Sequence, residues 1–145
     1  MSIEFRLEVG AKLPLRGSKE AAGLDIHSLV DRTIHGHRQS TISTGVFLNQ
    51  LPRGTYIKIE PRSKLANSYG IDILGGVVDA DYRGEIMVIV HNTRSSSYSI
   101  EKGDAIAQLV VKCIDMSEPV DVTNERTYSS TERGDSGINS KELRG

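Results

Sequence analysis

Tryptophan is absent from this sequence, phenylalanine occurs twice and cysteine once. The lone Cys113 excludes an intrachain disulfide and any zinc site built on cysteine pairs. Set in the apolar run LVVKCI, it reads as a small core filler. With 37% hydrophobic residues and so few large aromatics, an isolated monomer has little large apolar surface to bury, which points toward an oligomer. Apolar runs are short, and none approaches the ~20 residues needed to cross a bilayer. The start, MSIEFRLEVG, lacks the continuous apolar stretch of a secretory signal, so no membrane partner and an intracellular location, in cytoplasm and/or nucleus, are expected. An excess of one charge sign is missing too: 18 Lys and Arg stand against 19 Asp and Glu, scattered along the chain. Without a basic stripe, no direct nucleic-acid partner is expected. HxxxH, CxxC and GxSxG are all absent, and His27, His35, His37 and His91 are not spaced as a zinc set; each reads as a surface or packing histidine.

What is present is strand patterning in one folded unit. Apolar residues alternate or run in short blocks over Phe5–Val9, Leu24–Leu29, Thr41–Leu48, Thr55–Glu60, Ile71–Leu74, Glu85–Asn92, Tyr98–Ile100 and Ala105–Ile114, punctuated by turn residues such as Pro52-Arg53-Gly54 and Lys102-Gly103-Asp104. In TYIKIE, Ile57 and Ile59 share one face and Tyr56, Lys58 and Glu60 the other, which predicts a half-buried strand. IMVIV (residues 86–90) is apolar on both faces, as suits a central strand or one covered by a neighbouring subunit. One short helix is predicted over Ser63–Tyr69, with Ser63 as its cap and Gly70 as its end. The fold class is therefore all-β. After Val122 the composition turns polar and Gly-rich, so the chain divides into a β domain over residues 1–122 and a C-terminal arm over 123–145.

Five Gly-flanked, charged segments stand out: AAGLD (Ala21–Asp25), PRSKLA (Pro61–Ala66), GGVVDADYRGE (Gly75–Glu85), GDAIAQLV (Gly103–Val110) and RGDSGINS (Arg133–Ser140). Singly each is a turn. Together they supply what hydrolysis of a polyphosphate requires: carboxylates for a metal and a water, Arg donors for phosphate oxygens, and backbone amides freed by Gly.

In order and spacing these segments resemble the five motifs of the homotrimeric, all-β dUTPases, over nearly the whole chain. The resemblance implies a distorted β-barrel or jelly-roll-like fold, a homotrimer with three shared sites, and hydrolysis of dUTP to dUMP and pyrophosphate with Mg²⁺. That activity limits uracil incorporation into DNA and supplies dUMP for thymidylate synthesis. It implies that Asp79 orients and deprotonates the water attacking the α-phosphorus, and that Tyr82 packs under deoxyribose and rejects a 2′-hydroxyl. Uracil is expected to be read by main-chain groups of the hairpin from Gly76, Val77 and Val78 toward Met87. Arg62, Ser63, Lys64 and Gln108 fall on the phosphate side, and Asp25 is the expected metal contact, through water. Asp104 and Arg83 are expected to be structural, in ion pairs between motifs or subunits. By the same resemblance, motifs one, two and four come from one subunit, motif three from the next, and an arm carrying Arg133, Ile138, Asn139 and Ser140 from the third.

The pattern is altered in places. Lys64 stands where the family has Gly and Ala105 where it has Arg, and in the fifth motif Ile138 replaces the Phe that stacks on uracil and Asn139 a Gly. An Ile covers a base with apolar area but cannot stack as a ring does. Two alternatives share the fold: a dCTP deaminase, against which GVVDADYRGE speaks, and a catalytically weak nucleotide sensor or interaction protein, for which only the fifth motif speaks.

Overall fold

In the computed structural model, which describes residues 2–138, the strand TYIKIE forms as its alternation predicts. Ile57 and Ile59 are buried and Tyr56, Lys58 and Glu60 half-buried along β7 (Thr55–Glu60). Eleven other strands surround it: β1 (Glu4–Leu7), β2 (Leu15–Arg16), β3 (Leu24–His27), β4 (Arg32–Ile34), β5 (Gln39–Ile42), β6 (Val46–Gln50), β8 (Ile71–Leu74), β9 (Val77–Val78), β10 (Val88–Asn92), β11 (Tyr98–Ile100) and β12 (Ala105–Cys113). They make a five-stranded sheet, β2-β3-β12-β7-β9, a three-stranded sheet, β5-β10-β8, and two pairs, β1-β6 and β11-β4. All described pairings are antiparallel. The sheets wrap one core that includes Ile26, Ile57, Val88, Val90 and Leu109 and do not close into a continuous barrel. No described helix is long and apolar enough to cross a membrane.

The register of the large sheet organises the motifs. On β12, Gln108 lies opposite Asp25 of β3 on one side and Glu60 of β7 on the other. On the far side of β7, Val78 of β9 pairs with Ile57 and Val77 with Lys58. At the end of β7 the chain turns into α1 (Ser63–Tyr69), terminated by Gly70 in the left-handed region at φ 65. Arg94 donates to the carbonyls of Asn67 and Ser68 in its last turn, fixing the helix to the loop after β10.

Several expectations need correction. Arg62, not Ser63, is the N-cap residue of α1, in extended conformation and without a side-chain cap bond. The predicted strand Thr41–Leu48 is two strands, β5 and β6, broken at Ser43–Gly45, where Gly45 has φ 66. The predicted strand from Glu85 begins at Val88, because Ile86 leaves the β10 ladder: its N–H donates to Val46 O (2.8 Å) and its carbonyl accepts from Thr44 Oγ1 (2.6 Å). Cys113 is exposed and not a core filler. It shares a face with buried Leu109, but it ends β12 opposite Thr55, past the edge of the core. IMVIV does lead into a central strand, β10 between β5 and β8, as expected; it is buried on one face, by Ile86, Val88 and Val90, while Met87 stays exposed and Ile89 half-exposed. No regular element follows Cys113 among the described residues.

Asn92 and Thr44 are the polar residues most deeply set in this core, each at 1% exposure. Asn92 is the larger and ties together three parts of the chain. Its Nδ2 donates to Ile34 O (3.0 Å) and Ser96 O (2.8 Å), and its Oδ1 accepts from the Arg94 amide (3.1 Å), joining β4, β10 and the β10–β11 loop. Asn92→Leu keeps the volume and strands these partners, and is expected to cost about 3 kcal/mol in urea unfolding at fixed protein concentration. A loss below about 1 kcal/mol would mean the partners find water instead.

Candidate active site

Two groups of sequence-predicted residues form, at opposite ends of β7. At the first, Asp25 and Gln108 stand side by side on β3 and β12, with Arg62 just past β7. Gln108 Nε2 donates to Pro61 O (2.9 Å), and the same side chain fills the space over Gly23, where a Cβ would come within 2.3 Å of Gln108 Oε1. That crowding is why AAGLD needs its glycine. Arg62 Nε meets Asp25 Oδ1 at 3.3 Å, and Arg62 Nη1 donates to Ala105 O at 3.3 Å. Both side chains of the pair are about one-third exposed, so the pair orients more than it stabilises. Ser63 and Lys64 open α1, exposed beside Arg62, and Lys64 has no ion-pair partner among the described residues. His27 follows Asp25 on the same face of β3, with Nδ1 buried and unpartnered. Burial, then the charge of Lys12, holds it below the ordinary histidine range, with Asp25 opposing and Arg62 adding, so it is neutral at neutral pH.

This end fits a hydrated cation and not a dedicated metal cage. No group of three or more His, Cys, Asp or Glu side chains converges among the described residues, and Asp25 offers one part-exposed carboxylate. A hard divalent ion that keeps its waters and binds phosphate oxygens needs no more than that from the protein.

The second group is the hairpin of residues 75–87. Gly75 and Gly76 turn through φ 64 and 100. Gly76 O accepts from the Ile59 amide (2.7 Å) and Gly75 O from Lys58 Nζ (2.6 Å), which ties the near limb to β7. A Cβ on Gly76 would lie 2.8 Å from Ile59 O, so no larger residue fits. At the tip, the Tyr82 amide donates to Asp79 O (3.1 Å) and Arg83 Nη1 to Ala80 O (2.8 Å). The Tyr82 ring folds back over Gly84 and its hydroxyl donates to Glu85 O (2.9 Å). A Cβ on Gly84 would lie 2.4 Å from that hydroxyl oxygen, so the ring position depends on the glycine. The far limb is held by the Glu85 carboxylate, whose Oε2 accepts from the Ser43 hydroxyl and from the amides of Thr44 (3.0 Å) and Gly45 (2.9 Å). Burial pushes that carboxyl up, but the Ser43 hydroxyl and the Gly45 and Thr44 amides pull it further, to a net position below the ordinary range.

Between the limbs lies a hollow of about 230 Å³ with Gly76, Val77, Val78, Asp79, Tyr82 and Met87 on its walls, closed at the back by Ile59, Ile86 and Ile89. Val77, Tyr82 and Met87 are exposed apolar surface around it, and Asp79 is exposed at its rim. Asp79 also borders a larger hollow, about 680 Å³, shared with Thr55, Tyr56, Ile114 and Met116.

All the predicted hairpin residues are thus brought together, and so are Asp25, Arg62 and Gln108, and neither of the two hollows at the hairpin is lined by Asp25, Arg62 or Gln108. Val78 pairs with Ile57, whereas Arg62 lies five residues further along the chain. At about 3.3 Å of rise per residue, Asp79 and Arg62 are on the order of 15–20 Å apart in one chain. Arg133 turns on itself, donating from Nε to Ser136 O (2.7 Å), and Ile138 is exposed; neither borders the hollows. Asn139 and Ser140 lie outside the described residues. Within the chain, no ion pair of Arg83 or Asp104 between motifs forms among the described residues. Arg83 donates within its own turn, and Asp104 Oδ2 accepts from the Glu101 amide (2.9 Å). Glu85 closes the third segment but was given no role by sequence, and Lys58 was not singled out for the site. The signal for Glu85 was a charge at the mouth of an apolar strand; Lys58 carries none.

The sequence profile of the dUTPase family matches residues 10–141. The deoxyuridine 5′-triphosphate nucleotidohydrolase of Paramecium bursaria Chlorella virus 1 is 44% identical over 135 residues, covering 93% of each chain. Among solved structures, a Staphylococcus bacteriophage 80alpha dUTPase with dUpNHpp superposes with a TM-score of 0.85 at 27% identity, over 94% of this chain and 96% of that one. A dUTPase from phage phi11 of S. aureus, described as coordinating a structural Mg(II) ion, gives a TM-score of 0.77 at 25% identity, over 84% and 97%. The mostly β architecture is the jelly-roll-like arrangement of these neighbours. The open hairpin with its aspartate and tyrosine, the Asp25–Arg62–Gln108 group and the profile match together make this chain a member of the dUTPase family.

Proposed function

We propose that this chain hydrolyses dUTP to dUMP and pyrophosphate, with the 230 Å³ hollow of the hairpin receiving the deoxyuridine. The observation that carries this reading is the hairpin's construction: both limbs are pinned, the walls are main chain and apolar side chains, and a carboxylate stands at the rim. Main-chain groups of Gly76, Val77, Val78 and Met87 read the base edge, and a cytosine would leave a buried polar group unmatched at about 1–3 kcal/mol. The Tyr82 ring lies under the sugar. Asp79 orients a water and takes its proton as the oxygen bonds to the α-phosphorus; the bond to the bridging oxygen breaks on the opposite side and pyrophosphate leaves. Positioning and charge neutralisation supply most of the rate.

Arg62, Ser63, Lys64 and Gln108 serve the phosphates. Asp25 would hold Mg²⁺ through water, and the metal would supply charge neutralisation at the phosphates. Because Asp79 and Arg62 stand at opposite ends of β7, one site takes them from different copies, which supports a homotrimer with three shared sites. We assign residues 1–122 to the β domain and 123–145 to an arm that closes over a neighbouring copy's site through Arg133, Ile138, Asn139 and Ser140. This activity removes dUTP from the precursors of DNA and supplies dUMP for thymidylate synthesis, which places its work inside the cell, in cytoplasm and/or nucleus.

Two outcomes are expected. Asp79→Asn lowers kcat for dUTP about a thousandfold while affinity for a non-hydrolysable dUTP analogue changes little. Pyrophosphate release and ammonia release are followed together. Full activity in the variant, or ammonia from dCTP in the wild type, would contradict the assignment. Deleting the chain from Thr131 onward is expected to lower kcat/KM for dUTP by about tenfold or more, because closure that excludes water and orients the triphosphate is lost. Unchanged kcat and KM would leave the arm without a role.

A further inference from the structure

The Glu85 side chain is half-buried and charged, yet its carboxylate meets no cation among the described residues. It instead occupies a nest of three donors, the Ser43 hydroxyl and the Thr44 and Gly45 amides. Those amides are turned toward it by the break between β5 and β6, where Gly45 adopts φ 66. The fold does not need this contact to hold the next residue. Ile86 is already fixed on both sides, by Val46 O and Thr44 Oγ1. What the nest adds is the orientation of Glu85 itself, and the Glu85 carbonyl is the acceptor of the Tyr82 hydroxyl. Tyr82 is 45% exposed, so few packing contacts hold its ring, and the bond to that carbonyl aims it over Gly84.

We infer that Glu85 is a positioning residue that sets sugar selectivity, acting from the Ser43–Gly45 turn through its own carbonyl onto the Tyr82 ring. The inference rests on the reading of the hairpin hollow as the deoxynucleotide site. Glu85 borders the hollow, but its carboxylate is turned into the Ser43–Gly45 turn. The Ile86 N–H, bonded to Val46 O in the same planar peptide, and the carboxylate in its nest together hold the carbonyl that aims the ring, and the ring's tilt decides whether a 2′-hydroxyl fits. A residue needed only for folding would scale turnover of dUTP and UTP together, whereas a residue that aims the ring changes their ratio.

The test measures kcat/KM for dUTP and UTP in wild type, Glu85→Ala, Glu85→Gln, Ser43→Ala and Tyr82→Phe, and in Glu85→Ala and Ser43→Ala combined with Tyr82→Phe. Glu85→Ala is expected to raise the UTP/dUTP ratio about tenfold, the loss of a hydrogen bond to a charged group. Glu85→Gln, which keeps an acceptor oxygen for the nest, stays within about threefold of wild type. In the Tyr82→Phe background the bond to the carbonyl is already gone, so Glu85→Ala adds no further change in the ratio. If Glu85→Ala does not fold, Ser43→Ala with and without Tyr82→Phe gives the same comparison: a raised ratio alone, and none added in the pair. A ratio unchanged in Glu85→Ala, or changed equally with and without the tyrosine hydroxyl, overturns the inference while leaving dUTP hydrolysis in place. A wild-type chain inactive on dUTP overturns both.

Discussion

The length of one strand governs this molecule. β7 runs six residues from Thr55 to Glu60, carrying the hairpin of Asp79 along one edge and releasing Arg62 at its end. The ladder that buries Ile57 and Ile59 also fixes how far apart these two chemistries lie, on the order of 15–20 Å from the strand rise. We propose that one site takes these two groups from different copies; their separation supports that reading, as does the exposed apolar surface at Val77, Met87, Ile114 and Met116.

Within each half, rigidity is built by contacts that are individually modest. The near limb of the hairpin is tied by Ile59 and Lys58, the far limb by Glu85 and the turn between β5 and β6, and the ring of Tyr82 lies across the space that Gly84 leaves. Reading a base by main-chain groups requires this, since peptide donors discriminate only if they cannot move to accommodate the wrong partner. At the other end Gln108, Pro61 and Gly23 pack so closely that the row from Asp25 to Glu60 has little freedom. Both groups of side chains are thus preformed.

Sequence alone made much of this legible, for physical reasons. TYIKIE alternates with the strand period, and Gly70 stands where a helix end needs positive φ, so β7 and α1 were found at their true bounds. The turns of the segments at Gly75–Glu85 and Gly103–Val110 were legible because charges beside glycine are local features, while the roles of their side chains rested on the order of the five segments along the chain. What was not legible was set by partners distant in sequence. The break at Ser43–Gly45 depends on a carboxylate some 40 residues on, through an amide contact no local pattern encodes. Cys113 lies in an apolar run but at the end of a strand whose partner stops at Thr55, and burial there is decided by the neighbour. Asp104 and Arg83 carry charges that suggest ion pairs, yet each is satisfied by backbone groups within three residues.

The central claim, that Asp79 and Arg62 of one site come from different copies, is tested most directly by subunit mixing. Asp79→Asn and Arg62→Ala are purified, each with little activity, then unfolded together, refolded in equal amounts and assayed on dUTP. Sites in which an intact Asp79 of one copy meets an intact Arg62 of another should restore about one quarter of wild-type activity by random assembly. If the mixture stays as inactive as its two components while the refolded wild type recovers, both residues serve the same site from one chain, and the sharing of sites between copies is contradicted.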